Sequence, residues 1–146
     1  MSTNPKSVCL TTRTALLFLK QAHGTILNPA SMVGRIGQSV HTAYSASKGW
    51  MIALTKLVAL DYAAIGIRVN AVSPTGQWTP PIERGCGEQP DPRSIDQYRD
   101  GLRVLGNCPR GDAITDAAVL LPSEKGRFMT GCILRSAAER DLGYRP

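Results

Sequence analysis

The chain has 146 residues, a formal net charge of +6 and a pI of about 9.5, and aromatic residues make up 5% of it. This length suits a single domain that buries most of its apolar surface. The 17 Lys and Arg residues are scattered without a basic block, so the positive charge does not indicate a nucleic-acid partner.

The cysteines and histidines do not form a metal-binding pattern. The cysteines show no Cys-x-x-Cys spacing, and the chain has only two histidines, at positions 23 and 41; we expect no metal site. No apolar run approaches the roughly 18 residues that cross a bilayer, and the N-terminus lacks an apolar signal segment. We therefore expect a cytoplasmic protein with reduced cysteines and no membrane partner.

The first predicted element is a helix over residues 6–22. Pro5 suits the first turn of a helix, and Gly24 follows the predicted end. The helix is apolar on more than one side, so it needs two packing partners. Asn4 before Pro5 is compatible with a plain N-cap residue.

A strand is predicted over residues 25–30 and ends just before Ser31. Pro29 cannot donate a ladder hydrogen bond, so either strand pairing has ended there or the strand is weakened. A loop punctuated by glycines follows, over residues 32–37.

The strongest helix prediction covers residues 44–64. Tyr44 and Lys48 are four positions apart, so in a helix both side chains lie on one face. A phenol is a poor acid or base near neutral pH, and a fixed ammonium group nearby favours its phenolate form. The pair is therefore a candidate proton-transfer centre.

Residues 66–74 predict a second strand, which completes a strand, helix, strand unit. Such a unit implies a parallel pair with a right-handed crossover, and ligands bind beyond the carboxyl ends of its strands. Ser31 and Pro74 fall at those ends.

The remaining chain combines irregular and regular segments. Residues 82–110 are rich in Pro and Gly, with one helix predicted over 94–105, and a long irregular segment beside a site is often a substrate lid. A further helix is predicted over 112–121 and a last strand over 127–134.

These residues resemble the short-chain dehydrogenase/reductase family from about Asn4 to Leu134. Tyr44-Ser45-Ala46-Ser47-Lys48 is similar to the family's Tyr-x-x-x-Lys signature, and Ser31 stands 13 positions before Tyr44, as the family's catalytic serine does. Residues 66–74 are similar to its sixth strand, and 128–131 resemble its closing Phe-x-Thr-Gly segment.

The resemblance implies catalytic roles for four residues. Tyr44 would transfer the proton and contact both substrate and cofactor, and Lys48 would bind the nicotinamide ribose. Ser31 would hydrogen-bond the substrate oxygen. Asn4 matches the family's catalytic asparagine, which holds a water in a proton relay, although the N-cap interpretation stays open.

The resemblance also implies NAD or NADP as cofactor and a small carbonyl or alcohol as substrate. Pro74, Gln77 and Thr79 would contact the nicotinamide end, with a plain turn as the alternative. Thr75 stands where the family has glycine, so it would be strained if that position needs a positive φ. We name residues 74–79 the nicotinamide segment.

Two departures from the family pattern limit this expectation. The Gly-x-x-x-Gly-x-Gly turn and the following acidic residue are absent, and Ser136-Ala137-Ala138-Glu139 replaces the family's Val-Asp-Gly-Gly. We therefore expect a truncated single domain over 1–146, with a lid-like segment at about 75–110 and only the nicotinamide half-site.

The expected fold is α/β, a partial Rossmann-like three-layer fold with a parallel sheet, flanking helices and the N-terminal strands missing. The helices at about 6–22 and 44–64 would form a homo-oligomer interface, with core burial as the plain alternative for their apolar surface. A second hypothesis is a catalytically silent relative that acts only through these dimerisation helices.

Overall fold

The structure, a computed structural model, describes residues 3–136, and for residues 3, 4 and 136 it describes only the backbone. In chain order the elements are α1 (Thr3–Ala22), β1 (Thr25–Pro29), α2 (Thr42–Tyr62), β2 (Arg68–Pro74), α3 (Pro80–Gly87), α4 (Pro92–Gly101), α5 (Asp112–Leu120) and β3 (Ile133–Ser136). Short 3-10 turns occupy Met32–Gly34, Ala63–Ile65 and Glu124–Gly126.

The sheet has three strands in the order β1, β2, β3, and both pairs are parallel. Thr25 lies opposite Arg68 in the first pair, and Ala71 lies opposite Ile133 in the second. Helices flank the sheet, so the predicted α/β fold with parallel strands is confirmed as a partial Rossmann fold. Within residues 3–136, β1 is paired along one edge only.

Pro29 is part of β1 and is aligned with Val72 of β2. The next residue, Ala30, donates its N–H to the Val72 carbonyl at 2.9 Å. Because neighbouring residues of a strand point their polar groups to opposite sides, the missing N–H of Pro29 faces the unpaired edge. The proline therefore costs this sheet no ladder bond.

The core lies where α1 and α2 meet β2. Its buried residues are Leu16, Val58, Ala59, Ile67 and Val69. A buried polar link joins β1 to α2: Asn28 donates to the Thr55 hydroxyl at 3.0 Å, and Thr55 donates to the Met51 carbonyl at 2.8 Å. The buried side chains of α2 lie on one face, which leaves its other face outside the core.

The last strand was predicted too early. It was expected over 127–134 but covers Ile133–Ser136. Residues of β2 bind the chain before it: the Asn70 side chain donates to the Met129 carbonyl, and the Val69 backbone N–H donates to the Thr130 hydroxyl. Gly131 then has a φ of 68°, which interrupts the extended backbone just before β3.

The segment 82–110 is more regular than expected. Helix α3 was missed, although Thr79 as its N-cap and Pro80 in its first turn are ordinary start signals. Helix α4 was predicted over 94–105 but covers Pro92–Gly101, because Asp91 caps it by accepting the Ser94 N–H.

Candidate active site

Ser31 lies directly beyond the carboxyl end of β1. It is buried, its backbone is extended, and it begins the 3-10 turn at Met32–Gly34. The turn is closed by the Gly34 N–H, which donates to the Ser31 carbonyl at 3.1 Å. The turn fixes the Ser31 backbone at the sheet edge where ligands bind in parallel α/β folds.

Tyr44 and Lys48 both lie in the first two turns of α2, on one face. The Lys48 ammonium nitrogen is 5.6 Å from the centre of the Tyr44 ring, within the range of a cation–π contact. Tyr44 keeps 44% of its surface exposed. The phenol is thus accessible and has a cation beside it.

Lys48 also reaches back to β1. Its ammonium group donates to the Pro29 carbonyl at 2.6 Å, and that carbonyl points to the unpaired edge of the strand. Partial burial lowers the pKa of Lys48 from its usual value of 10.5, because desolvation disfavours the charged form. One bond of the three that an ammonium can donate is therefore fixed, and two remain for a ligand.

The nicotinamide segment begins at Pro74, the last residue of β2. Thr75 is buried and directs its hydroxyl to the Met32 sulfur at 3.9 Å. This contact joins the segment to the turn that starts at Ser31. Among described residues other than glycine, only His23 and Val40 have a positive φ, so the strain considered for Thr75 does not arise.

Gln77 and Thr79 lie in the same segment. The backbone carbonyl of Gln77 accepts a hydrogen bond from Arg99 at 3.3 Å. The side-chain nitrogen of Gln77, Nε2, is buried without a hydrogen-bond partner. Thr79 precedes α3 but its side chain makes no capping bond. Its hydroxyl is therefore open to another partner.

Two arginines that the sequence analysis missed support this segment. Arg103 donates to the Gly76 carbonyl at 2.7 Å, and the Arg99 guanidinium stacks 4.3 Å from the centre of the Trp78 ring. Both come from the end of α4 and the turn after it. Their spacing of four positions within a predicted helix was a signal that they share a face.

The structure thus gathers Ser31, Tyr44, Lys48 and the nicotinamide segment at one end of the sheet. The Asn4 side chain lies outside the described residues, so its predicted role stays a prediction. Within residues 3–136, no group of three or more His, Cys, Asp or Glu residues could hold a metal ion. None of the described helices is long and apolar enough to cross a membrane.

The part of the chain that the structure describes contains a cavity away from these residues and another beside the nicotinamide segment. The larger, about 510 Å³, lies at the amino ends of β1 and β2 and is lined by His23, Thr25, Arg68 and Phe128, among others. Ser31 and Pro74 lie at the opposite end of the sheet, at the carboxyl ends of the same strands. A second, about 320 Å³, lies between α3 and α4 beside Trp78. The larger cavity is lined by none of the predicted site residues.

Comparison with known proteins gives consistent matches. A protein-family model described as enoyl-(acyl carrier protein) reductase matches residues 1–137. L-fucose dehydrogenase of Bos taurus is 38% identical over 133 residues, which are 91% of this chain and 49% of that protein. The chain therefore spans about half the length of the curated relatives it matches first.

Solved structures match most of the chain. One is the crystal structure of a protein from Burkholderia xenovorans that is assigned to the short-chain dehydrogenases/reductases. Its TM-score is 0.87 at 26% identity, and the match covers 96% of this chain and 54% of that chain. NAD⁺-bound xylitol dehydrogenase has a TM-score of 0.73 at 34% identity and covers 82% and 50% of the respective chains.

Proposed function

Because the chain belongs to the short-chain dehydrogenase/reductase family, we propose that it is an NAD(P)-dependent oxidoreductase that exchanges a hydride between the cofactor and a carbonyl or secondary alcohol. The observation that carries this proposal is the pair Tyr44 and Lys48, with the ammonium 5.6 Å from the ring of an accessible phenol. The pair lies at the carboxyl end of the sheet, where Ser31 also lies.

Tyr44 is the acid/base of the proposed reaction. Its phenol gives a proton to the substrate oxygen during reduction and takes one during oxidation. Lys48 places a positive charge 5.6 Å from the centre of the Tyr44 ring, beside the group that transfers the proton. Ser31 donates a hydrogen bond to the same substrate oxygen and so orients it toward Tyr44.

The residues present fit the nicotinamide end of a dinucleotide. Lys48 has two N–H donors beyond the one bound to Pro29, which suits the hydroxyl groups of a ribose. The Thr79 hydroxyl makes no capping bond, and the peptide groups near Gln77 suit a carboxamide. When bound, the nicotinamide supplies or accepts the hydride.

The substrate class follows from the chemistry of the site and from the relatives. The hydroxyl groups of Tyr44 and Ser31 suit hydrogen bonding to the oxygen of a carbonyl or a secondary alcohol. The relatives described above are named for L-fucose and for xylitol, which are both polyhydroxylated. Polyols and sugars are therefore the first substrates to screen, and a cytoplasmic location stays a prediction.

We also propose that α1 and α2 form a homo-oligomer interface. Both helices expose large apolar side chains: Leu10, Leu17 and Phe18 on α1, and Leu57 and Leu60 on α2. Exposed apolar surface of this kind marks association sites. The same surface favours the alternative function, a catalytically silent family member that acts only through these helices.

The deciding experiment is a fluorescence titration of the purified chain with NADH and NADPH, alongside the Tyr44→Phe and Lys48→Ala variants. Saturable binding that weakens in Lys48→Ala would support the proposal, and preference between the two cofactors would follow directly. A folded chain that binds neither cofactor would overturn it and favour the silent alternative.

A further inference from the structure

Gly76 in the nicotinamide segment has a carbonyl with two donors. Arg103 donates to it through Nη2 at 2.7 Å, and the Cys108 thiol donates to it at 3.3 Å. A Cβ atom at Gly76 would lie 3.1 Å from the same Arg103 nitrogen. The glycine therefore allows the guanidinium to approach the backbone closely.

The bond from Arg103 fixes the orientation of a whole peptide group. A trans peptide is planar, so the N–H of Gln77 points away from the carbonyl of Gly76. In residues 3–136 this N–H has no hydrogen-bond partner. Arg103 thus holds the peptide so that the free N–H of Gln77 points away from Arg103 and Cys108.

Arg103 is buried, and its side chain is bound through Nη2, while its Nε has no hydrogen-bond partner among the described residues. Only 8% of its surface is exposed, and its N–H donates to the Asp100 carbonyl at 2.8 Å. The Asp100 carboxylate accepts the Cys108 N–H at 2.7 Å, which closes the turn that carries both donors to Gly76. Because an arginine fork is planar and rigid, it holds its acceptor in a defined direction.

A second contact acts on the next peptide. Arg99 donates to the Gln77 carbonyl at 3.3 Å and covers the ring of Trp78. The Trp78 N–H donates to the Pro109 carbonyl at 2.9 Å. Both peptide groups around Gln77 are therefore oriented by the chain between α4 and Pro109.

We infer that Arg103 is a positioning residue that presents the Gln77 N–H to the carboxamide oxygen of the nicotinamide. The inference rests on the proposed function, since it assigns the donor for one group of that cofactor. Arg103 does not contact the cofactor itself. It acts through the Gly76 carbonyl, with Arg99 supporting the adjacent peptide.

The test uses the ¹⁵N-labelled chain and three variants, Arg103→Met, Arg103→Lys and Arg93→Met. Arg93 is an exposed arginine of α4 and is the matched control. NADH is titrated while the Gln77 amide resonance is followed by NMR, and amide hydrogen exchange of Trp78 is measured without cofactor. Thermal midpoints check that each variant is folded.

We expect Arg103→Met to weaken NADH binding roughly tenfold, the size of one charge-assisted hydrogen bond. It should also abolish the shift of the Gln77 amide on binding and speed exchange at Trp78. Arg103→Lys should recover only part of the affinity, because an ammonium keeps a charged donor but lacks the planar fork. Arg93→Met should match the unaltered chain.

The outcomes separate the inference from the proposed function. If the unaltered chain and Arg103→Met bind NADH equally and shift the Gln77 amide alike, the inference is wrong and the proposed function stands. If the unaltered chain is folded but binds no NADH, the proposed function fails and takes the inference with it. Weakened binding of NADH to Arg103→Met with an unchanged shift of the Gln77 amide would also overturn the positioning role.

Discussion

Gly34 and Lys48 lie backbone against backbone. A Cβ atom added to Gly34 would be 2.5 Å from the Lys48 carbonyl carbon and 2.6 Å from the Gly49 nitrogen. Gly34 ends the turn that begins at Ser31, and Lys48 lies on the helix that carries Tyr44. The contact therefore sets the distance between the serine and the tyrosine–lysine pair.

Replacing Gly34 by alanine should push this turn away from α2. We expect the free energy of unfolding to fall by about 1–3 kcal/mol, the usual cost of adding a methylene group where no space exists. Urea denaturation measures the loss. Gly37→Ala is the control, because a Cβ atom there meets nothing within 4 Å, and equal stability of the two variants would contradict the argument.

Tyr44→Phe should remove catalysis and leave the fold intact. Loss of a general acid/base lowers turnover by about 10²–10⁴-fold, and the 44% exposed ring of Tyr44 keeps its packing when only the hydroxyl is removed. Turnover of the first substrate identified is followed by NADH absorbance. Tyr98→Phe alters a 65% exposed tyrosine of α4 and should not change turnover. Full activity in Tyr44→Phe would show that Tyr44 is not the acid/base.

Lys48 should give the chain a pH-dependent stability in the alkaline range. Burial lowers its pKa in the folded state, while the unfolded value is 10.5. Between these values the unfolded chain binds more protons than the folded chain, so stability rises with pH there. The penalty for burying the ammonium is complete below the lowered pKa and is relieved as pH rises toward 10.5.

The measurement compares unfolding of the unaltered chain with that of Lys48→Met at several pH values up to about 10.5. The stability difference should move in favour of the unaltered chain as pH rises. Lys56→Met, at an exposed lysine of the same helix, provides the reference curves. A difference that stays constant or moves the other way would contradict the assignment.

Local patterns predicted the parts of this molecule that depend on neighbours in sequence. Tyr44 and Lys48 share a helix face because of their spacing, and Ser31 follows a strand that the apolar pattern identified. The parallel pairing of β1 and β2 followed from the strand, helix, strand order. Each of these features can be predicted from the periodicity of a helix or strand, or from the order of the elements along the chain.

The missed features depend on contacts between distant residues. The Lys48 bond to Pro29 spans 19 positions and the Arg103 bond to Gly76 spans 27, so neither leaves a periodic trace in the sequence. The late start of β3 has the same origin, since Asn70 binds the Met129 carbonyl 59 positions away. The Asn70 side chain also accepts the Cys132 N–H at 3.0 Å, so it binds the chain on both sides of Gly131.

The exposed apolar face of α2 should mediate association of two chains. Leu60 is 76% exposed, and a glutamate there would place a charge in the proposed interface, where it would be desolvated on association. We expect Leu60→Glu to be monomeric by light scattering at concentrations where the unaltered chain is dimeric. Leu105→Glu, at a 79% exposed leucine far from α2 in the chain, should not change the mass.

A monomeric unaltered chain would contradict the interface directly. A dimer that persists in Leu60→Glu would show that the interface does not include this part of α2. The same samples also separate the two functions, because a silent family member requires association without cofactor binding.

Arg68 connects β2 to the chain that leads into β3. Its Nη1 donates to the carbonyls of Leu121 at 2.6 Å and Gly126 at 3.0 Å, and its Nη2 donates to the Pro122 carbonyl at 2.9 Å. Leu121 is the C-cap of α5, so this carbonyl belongs to a helix end that lacks backbone partners. The guanidinium charge is favourable there, since the carboxyl end of a helix is negative.

Arg68→Met should therefore destabilise the chain more than loss of a surface charge does. Several carbonyls lose a charged donor at once, and we expect the free energy of unfolding to fall by about 3 kcal/mol. Arg68→Lys should have a stability between those of the unaltered chain and Arg68→Met, because one ammonium cannot donate to all the carbonyls that the two Nη atoms of arginine bind. Arg13→Met, at an exposed arginine of α1, should change stability by less than about 0.5 kcal/mol. If Arg68→Met were as stable as Arg13→Met, packing rather than these hydrogen bonds would hold β3 in the sheet.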